Sequence, residues 1–267
     1  MEAVHAVGYF AADSREAYKA IGLRGFWMGY FASRSAALGS ASPELVTALF
    51  FGFSPGMVRR ALPDAWQRAT PAEVLVSRED LAVRTLTPLL PDMALEPLAN
   101  RLAGISSGLD LAGRPLAAEH VTVAGAGSPV ARIWRAATVL QEYRGDGHVA
   151  AVVAAGLDGV EANASHAATG ALPAEQRTHR GWSEDEWAAG LKRLRVRGWL
   201  DGDGTLTAAG MVGREAIERA TDDAAARAFA GLSQVYVDEL TADLMRLASG
   251  PVARGVPYPN AMGVLRP

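Results

Sequence analysis

With five histidines and no cysteine, the chemistry open to this chain is narrow. Thiolate nucleophiles, disulfides and cysteine-ligated metals are excluded. His5 precedes an aromatic segment. His148 follows Arg144-Gly145-Asp146-Gly147, which reads as a helix stop and a fresh start. A helix N-terminus disfavours imidazolium, and neutral imidazole is the form that acts as a general base or ligand. His148 and His5 are therefore the weak catalytic candidates, although a lone histidine at a helix start is more often a cap or a surface residue. His166 and His179 lack an HxxxH or HExxH partner, and no metal site is expected. Glu142 and Asp146 place two carboxylates near the expected helix end, an acid–base pattern that is generic.

The first part of the chain concentrates rings: Tyr9, Phe10, Phe26, Trp27, Tyr30, Phe31, Phe50, Phe51 and Phe53. Leu23, Trp27, Tyr30, Phe31 and Arg34 share one helical face. Core packing accounts for most of them, but the excess suits an apolar pocket for a flat ligand, with Arg24 and Arg34 at its edge. Trp27, Tyr30, Phe31, Arg34, Arg144 and His148 are the ligand-binding candidates, and the ligand expected is apolar or aromatic.

The 267 residues carry a net charge of −3, are 49% hydrophobic and are 21% charged, a soluble globular composition. No P-loop, GxSxG elbow or dinucleotide fingerprint is present, so the sequence signals no particular cofactor. GAGS at 125–128 is too short a motif to count. The start of the chain lacks a signal-peptide pattern, and no apolar run spans a bilayer. A cytoplasmic protein with no membrane partner is expected.

Helical signals dominate. Expected helices run over 15–38, from Ser42-Pro43, from Ser54-Pro55, from Thr70 with a capping-box spacing, over 93–105, over 129–144 ending at Gly145, and over 228–249. HVAAVVAAG and DGVEANASHAA add two more. The tail from Val256 reads as coil. At an offset of 104 residues, 42–60 overlays 146–164, with Gly52 on Gly156 and Ser54 on Asp158. This echo predicts tandem winged-helix-like halves, 1–115 and 116–267, the first lacking an obvious wing.

Residues 182–222 read as helix, two-stranded wing, helix. Leu191, Leu194, Gly198, Leu200, Gly204, Leu206, Thr207, Gly210, Ile217, Glu218 and Thr221-Asp222 carry the pattern. The segment resembles the winged helix of the multiple-antibiotic-resistance regulator (MarR) family. The whole chain, rich in Ala, Arg and Gly, resembles a set of actinobacterial helix-turn-helix-like proteins. The first resemblance implies that helix 184–197 enters the major groove, reading bases with its N-terminal residues. Those residues are Glu184, Asp185 and Glu186, and the wing tip is Asp201-Gly202-Asp203-Gly204. Lys192, Arg193, Arg195 and Arg197 are the DNA-contact candidates, but they also complement the helix dipole.

The sequence therefore predicts a mainly α protein of tandem winged-helix-like halves with a short β-wing in the second. Its expected function is binding a small molecule, or an enzymatic use of the same pocket, on a scaffold that has lost standard DNA reading. The alternative is a ligand-responsive regulator that binds DNA. Leu232, Val235, Leu240, Leu244 and Leu247 form a stripe suited to pairing with a second copy as a homodimer, and equally to core packing.

Overall fold

The computed structural model describes residues 1–90, 94–123, 127–170, 172, 175–249 and 256. The described chain is mainly helical, as its cap and periodicity signals predict. In order the helices are α1 (Glu2–Phe10), α2 (Ser14–Ala20), α3 (Gly25–Ser35), α4 (Pro43–Phe50), α5 (Pro55–Arg68), α6 (Pro71–Leu86), α7 (Leu95–Ser107) and α8 (Pro115–Thr122). They continue with α9 (Pro129–Ala154), α10 (Gly159–Ala167), α11 (Gln176–His179), α12 (Glu184–Val196), α13 (Ala208–Ala226) and α14 (Gln234–Ser249). Positions 125 and 126 of GAGS lie outside the described residues, and so does the tail apart from Val256.

Several boundaries follow directly from side-chain chemistry. Thr70 with Glu73, Asp158 with Glu161 and Ser183 with Glu186 each close a capping box, satisfying backbone N–H groups that a helix start leaves open. Ser42, Ser128 and Thr207 cap α4, α9 and α13 with single bonds. The expected helix over 15–38 is instead two, because Gly22 and Gly25 both take positive φ between them. The chain also opens with α1, a helix that no cap signal announces.

Gly145-Asp146-Gly147 does not stop a helix. α9 runs unbroken through it for 26 residues. The glycines serve packing: a Cβ on Gly147 would collide with the Arg114 guanidinium, and Gly145 lies beneath Arg34 and Glu142. Tertiary contact overrides the local propensity cost. The echo between the halves also breaks here, since α3 and α4 are separate helices while their counterpart is the single α9. The wing is reduced as well. Among the described residues there is no strand; Leu200 and Leu206 meet in one antiparallel bridge, and the Asp201 carboxylate holds the turn by accepting from the N–H groups of Asp203 and Thr205.

Two hydrophobic clusters form among the described residues. The larger takes in α1–α8, the first half of α9, and Leu240, Leu247 and Val256. The smaller joins Val152, Leu157, Ala164, Leu194, Leu200 and Ile217, with Trp187, Leu191 and Leu206 against it. α9 threads both. Leu240 and Leu247 of the final helix are buried in the larger cluster.

A compact joint links the α4–α5 turn to α10 and α12. Phe51 has φ 41°, alone among the described non-glycine residues on the positive side. The Gly52 carbonyl accepts from Asn163 Nδ2 at 2.8 Å and from the Trp182 indole at 3.0 Å. A Cβ on Gly159 would collide with the Phe51 carbonyl oxygen. Gly159→Ala should therefore cost about 1–3 kcal/mol as overpacking, read as a lower urea midpoint at unchanged slope.

Candidate functional site

The chemically richest interior lies where α1, α3, α6, α8 and α9 meet. Arg34, in the last turn of α3, reaches across to Glu142 of α9 in a bidentate pair, Nε to Oε1 at 2.8 Å and Nη2 to Oε2 at 2.7 Å. Glu142 is 1% exposed. Burial pushes its carboxyl up, but the Arg34 charge and hydrogen bonds, with lesser help from His5 and His120, outweigh that and hold it at about 2. Arg34 also stacks on the Phe50 ring at 4.2 Å, and its Nη1 lies 3.4 Å from the Tyr30 hydroxyl.

His5 presents Nδ1 to Thr138 Oγ1 at 3.2 Å and Nε2 toward Glu142 Oε1 at 4.0 Å. The carboxylate favours the proton on Nε2, so Nδ1 accepts from the threonine hydroxyl. Burial pushes the His5 pKa well below the usual histidine range, outweighing the opposing Glu142 charge, while Arg78 and Arg34 add to the depression, so the ring is neutral. His120 is likewise pushed down, to about 3, by burial and then by Arg78. Arg78 is fully buried between the Tyr9 and Trp134 rings; it donates to the Ser33 carbonyl at 3.1 Å and to the Tyr9 hydroxyl. Asp146 accepts from the Ala117 N–H at 3.0 Å at the start of α8, and burial raises its carboxyl to about 6.

A cavity of about 90 Å³ opens onto this network, lined by Glu2, His5, Tyr9, Phe10, Tyr30, Arg34 and Glu142 among others. Of the ligand-binding candidates it gathers Tyr30 and Arg34, and it adds His5. Phe31 is instead wholly buried in the core. Trp27 packs edge-on against Tyr30 and Phe53, behind the cavity wall. The other rings form one continuous cluster of stacked, tilted and edge-on contacts, except Phe51, which faces the smaller cluster.

Arg144 and His148 belong to a different place. They face α13, where Arg144 pairs with Glu218 and Asp222, and His148 Nδ1 meets Thr221 Oγ1 at 3.0 Å. The Thr221 hydroxyl donates to the Ile217 carbonyl, so His148 is the donor of this bond. His148 stands mid-helix, six residues or about 9 Å along α9 from Glu142. Its depression to about 4 comes from burial first and not from a helix terminus. His5 and His148 do not converge. Among the described residues no three His, Asp or Glu side chains stand together to hold a metal ion, and no helix is long and apolar enough to cross a membrane.

The helix expected to read DNA is α12. Its first turn exposes Glu184, Asp185 and Glu186, with Glu186 committed to the capping box and Glu184 paired with Arg177. Three of the four cationic candidates are tied down internally. Arg193 pairs with Asp158 and Glu161, Arg195 bonds the Asp201 carbonyl, and Arg197 caps α9 through the carbonyls of Ala155 and Gly156. All four residues nevertheless stay exposed.

A family model described as "Helix-turn-helix family" matches residues 1–257. The chain belongs to the helix-turn-helix family. No curated protein and no solved structure matches it. In this helix-turn-helix protein the match extends well beyond α10–α13, through the body that holds the Arg34–Glu142 network. The sequence named His5, Tyr30 and Arg34 but gave Glu142 no specific role and passed over Arg78 and His120. Arg78 had a readable signal: with Val74, Leu81 and Ala82 it lies on the buried stripe of α6, a charge where an apolar residue is expected.

Proposed function

We propose that this helix-turn-helix protein binds a small molecule in the His5–Tyr30–Arg34–Glu142 cavity and that α12 does not read base edges. The observation that supports this most strongly is the cavity itself, opening onto a buried bidentate ion pair. Interiors seldom keep charges where apolar packing would serve, and concentrations of perturbed ionisable groups mark functional sites more than structural ones. Its volume suits a ligand of a few heavy atoms, or the end of a longer one entering past Glu2. Tyr9 and Phe10 supply flat apolar walls; the Tyr30 hydroxyl and Arg34 Nη1 supply the orienting polar atoms.

Native mass spectrometry of the freshly purified protein, followed by a thermal-shift screen of small phenols, aromatic amines and carboxylates, tests this reading. A stabilising compound should lose at least tenfold in affinity in Tyr30→Phe, which keeps the ring and removes the hydroxyl. Binding that ignores this variant would place the ligand elsewhere.

The family assignment and the succession of α10, α12 and α13 favour a second reading, a regulator that binds DNA. It requires phosphate contacts, and those make affinity fall steeply with salt. The acidic front of α12 and the internal commitments of Arg193, Arg195 and Arg197 argue against it. Under the first reading, genomic fragments stay unshifted at 50 mM salt; a shift that vanishes by 200 mM would establish the second.

A further inference from the structure

A broad surface concavity lies remote from the polar network and plays no part in the reading above. It is a groove of about 840 Å³ between α2 and α6. Its floor is small and apolar, drawn from Ala17, Ala20, Ile21, Ala72, Val76 and Val83. Val76 is 62% exposed, so its side chain is open to a partner. Its lining is acidic on both sides: Asp13 and Glu16 come from the α2 side, Glu16 pairing with Lys19 at 3.7 Å, while α6 supplies Asp80 and Glu73, the latter also closing the capping box, with Arg84 the cationic lining residue.

We infer that this groove is a docking site for a basic amphipathic helix of a partner protein. The residues contributed by α6 run from Ala72 to Arg84, about 18 Å along the helix, which matches three turns of a ligand helix. Alanines on the floor permit close backbone approach, as ridges-into-grooves packing requires, while Val76 and Ile21 give the apolar contact. A helix whose apolar stripe recurs at i, i+3, i+4 and i+7 would lay that face on the floor and extend Lys or Arg to the carboxylates on both sides. The lining keeps an acidic excess even with Lys19 and Arg84 counted, and that excess disfavours phosphates, so neither nucleic acid nor an anionic membrane matches the surface.

The probe is a fluorescein-labelled, amidated 14-residue peptide with Leu at positions 1, 4, 5, 8, 11 and 12 and Lys elsewhere. Its control is a scrambled peptide of the same composition that has no apolar stripe. Fluorescence anisotropy on the full chain at 150 mM salt should show the striped peptide binding at least tenfold more tightly than the scrambled one. Val76→Glu puts a carboxylate in the apolar floor, and Asp80→Lys reverses one rim charge. Both positions are exposed, and each substitution should weaken binding at least tenfold while leaving the helical circular dichroism unchanged. Equal binding of both peptides, or binding that ignores Val76→Glu in a folded variant, would overturn the inference. So would displacement of the striped peptide by micromolar spermidine, which would make the groove a site for small polycations. None of these readouts involves the Tyr30 cavity, so each reading can fail alone.

Discussion

Replacing Arg34 with methionine should cost about 3–5 kcal/mol of stability at neutral pH, because it leaves the Glu142 carboxylate buried without its cation. His5 cannot substitute: its Nε2 is 4.0 Å from Glu142 Oε1, and its burial resists protonation. The pH dependence should also change sign. In the wild type the Glu142 pKa is depressed, so its contribution is present above the ordinary carboxyl range and is lost as pH falls through about 2. Without Arg34, burial outweighs the lesser effects of His5 and His120 and raises that pKa, so the variant's deficit should shrink as the carboxyl takes up a proton in mild acid. The double variant Arg34→Met/Glu142→Gln removes both charges and should recover at least 2 kcal/mol of the single variant's loss, on the order of the coupling expected within a shared network. Urea unfolding of the wild type, Arg34→Met, Glu142→Gln and the double variant at pH 7 measures this coupling; a double variant no more stable than Arg34→Met would show that the two residues do not act as a pair.

The parts of this molecule visible in its sequence are those decided locally. Thr70, Asp158, Ser183 and Thr207 each sit a fixed few residues from the group they satisfy, so their helices start where the sequence says. Gly145 and Gly147 mislead for the opposite reason. Their propensity argues for a stop, but the decisive neighbours, Arg34 and Arg114, come from more than thirty positions away in one case and over a hundred in the other. The same holds for the site. Tyr30 and Arg34 stand out because aromatic and cationic residues share a helical face. Nothing near Glu142 in sequence announces that Arg34, 108 residues earlier, will neutralise it. The wing fails by degree: the Leu200 and Leu206 positions and the turn are right, yet the pairing stops at one bridge.

Acid should destabilise the protein well above the range where carboxylates alone would act. His120 and His148 titrate at about 3 and about 4 in the folded state because burial opposes their charged forms, against 6.5 for the ordinary side chain. As pH falls below 6.5 the unfolded chain therefore takes up protons that the native state refuses, and stability declines. Each histidine accounts for about 3 kcal/mol between neutrality and pH 4. Asp146 works the other way. Its folded pKa is raised to about 6, so its neutral form is favoured in the native state and the protein gains about 2 kcal/mol over the same interval. The histidines prevail, and His5 and His166, depressed in the same direction, add to them, so the net loss by pH 4 should be at least about 4 kcal/mol. Chemical unfolding measured from pH 7.5 to pH 4 should show this decline. His148→Gln should make it shallower by about one proton, roughly 1.4 kcal/mol per pH unit, because its partner Thr221 can still accept from an amide. Asp146→Asn should make it steeper, since the amide no longer gains from acid. A wild-type profile flat across this range, or the two variants shifting the slope in the same direction, would mean that these side chains are not buried as the helices place them. The opposed signs matter because general loss of packing lowers stability at every pH, whereas only the named ionisations tilt the profile in both directions.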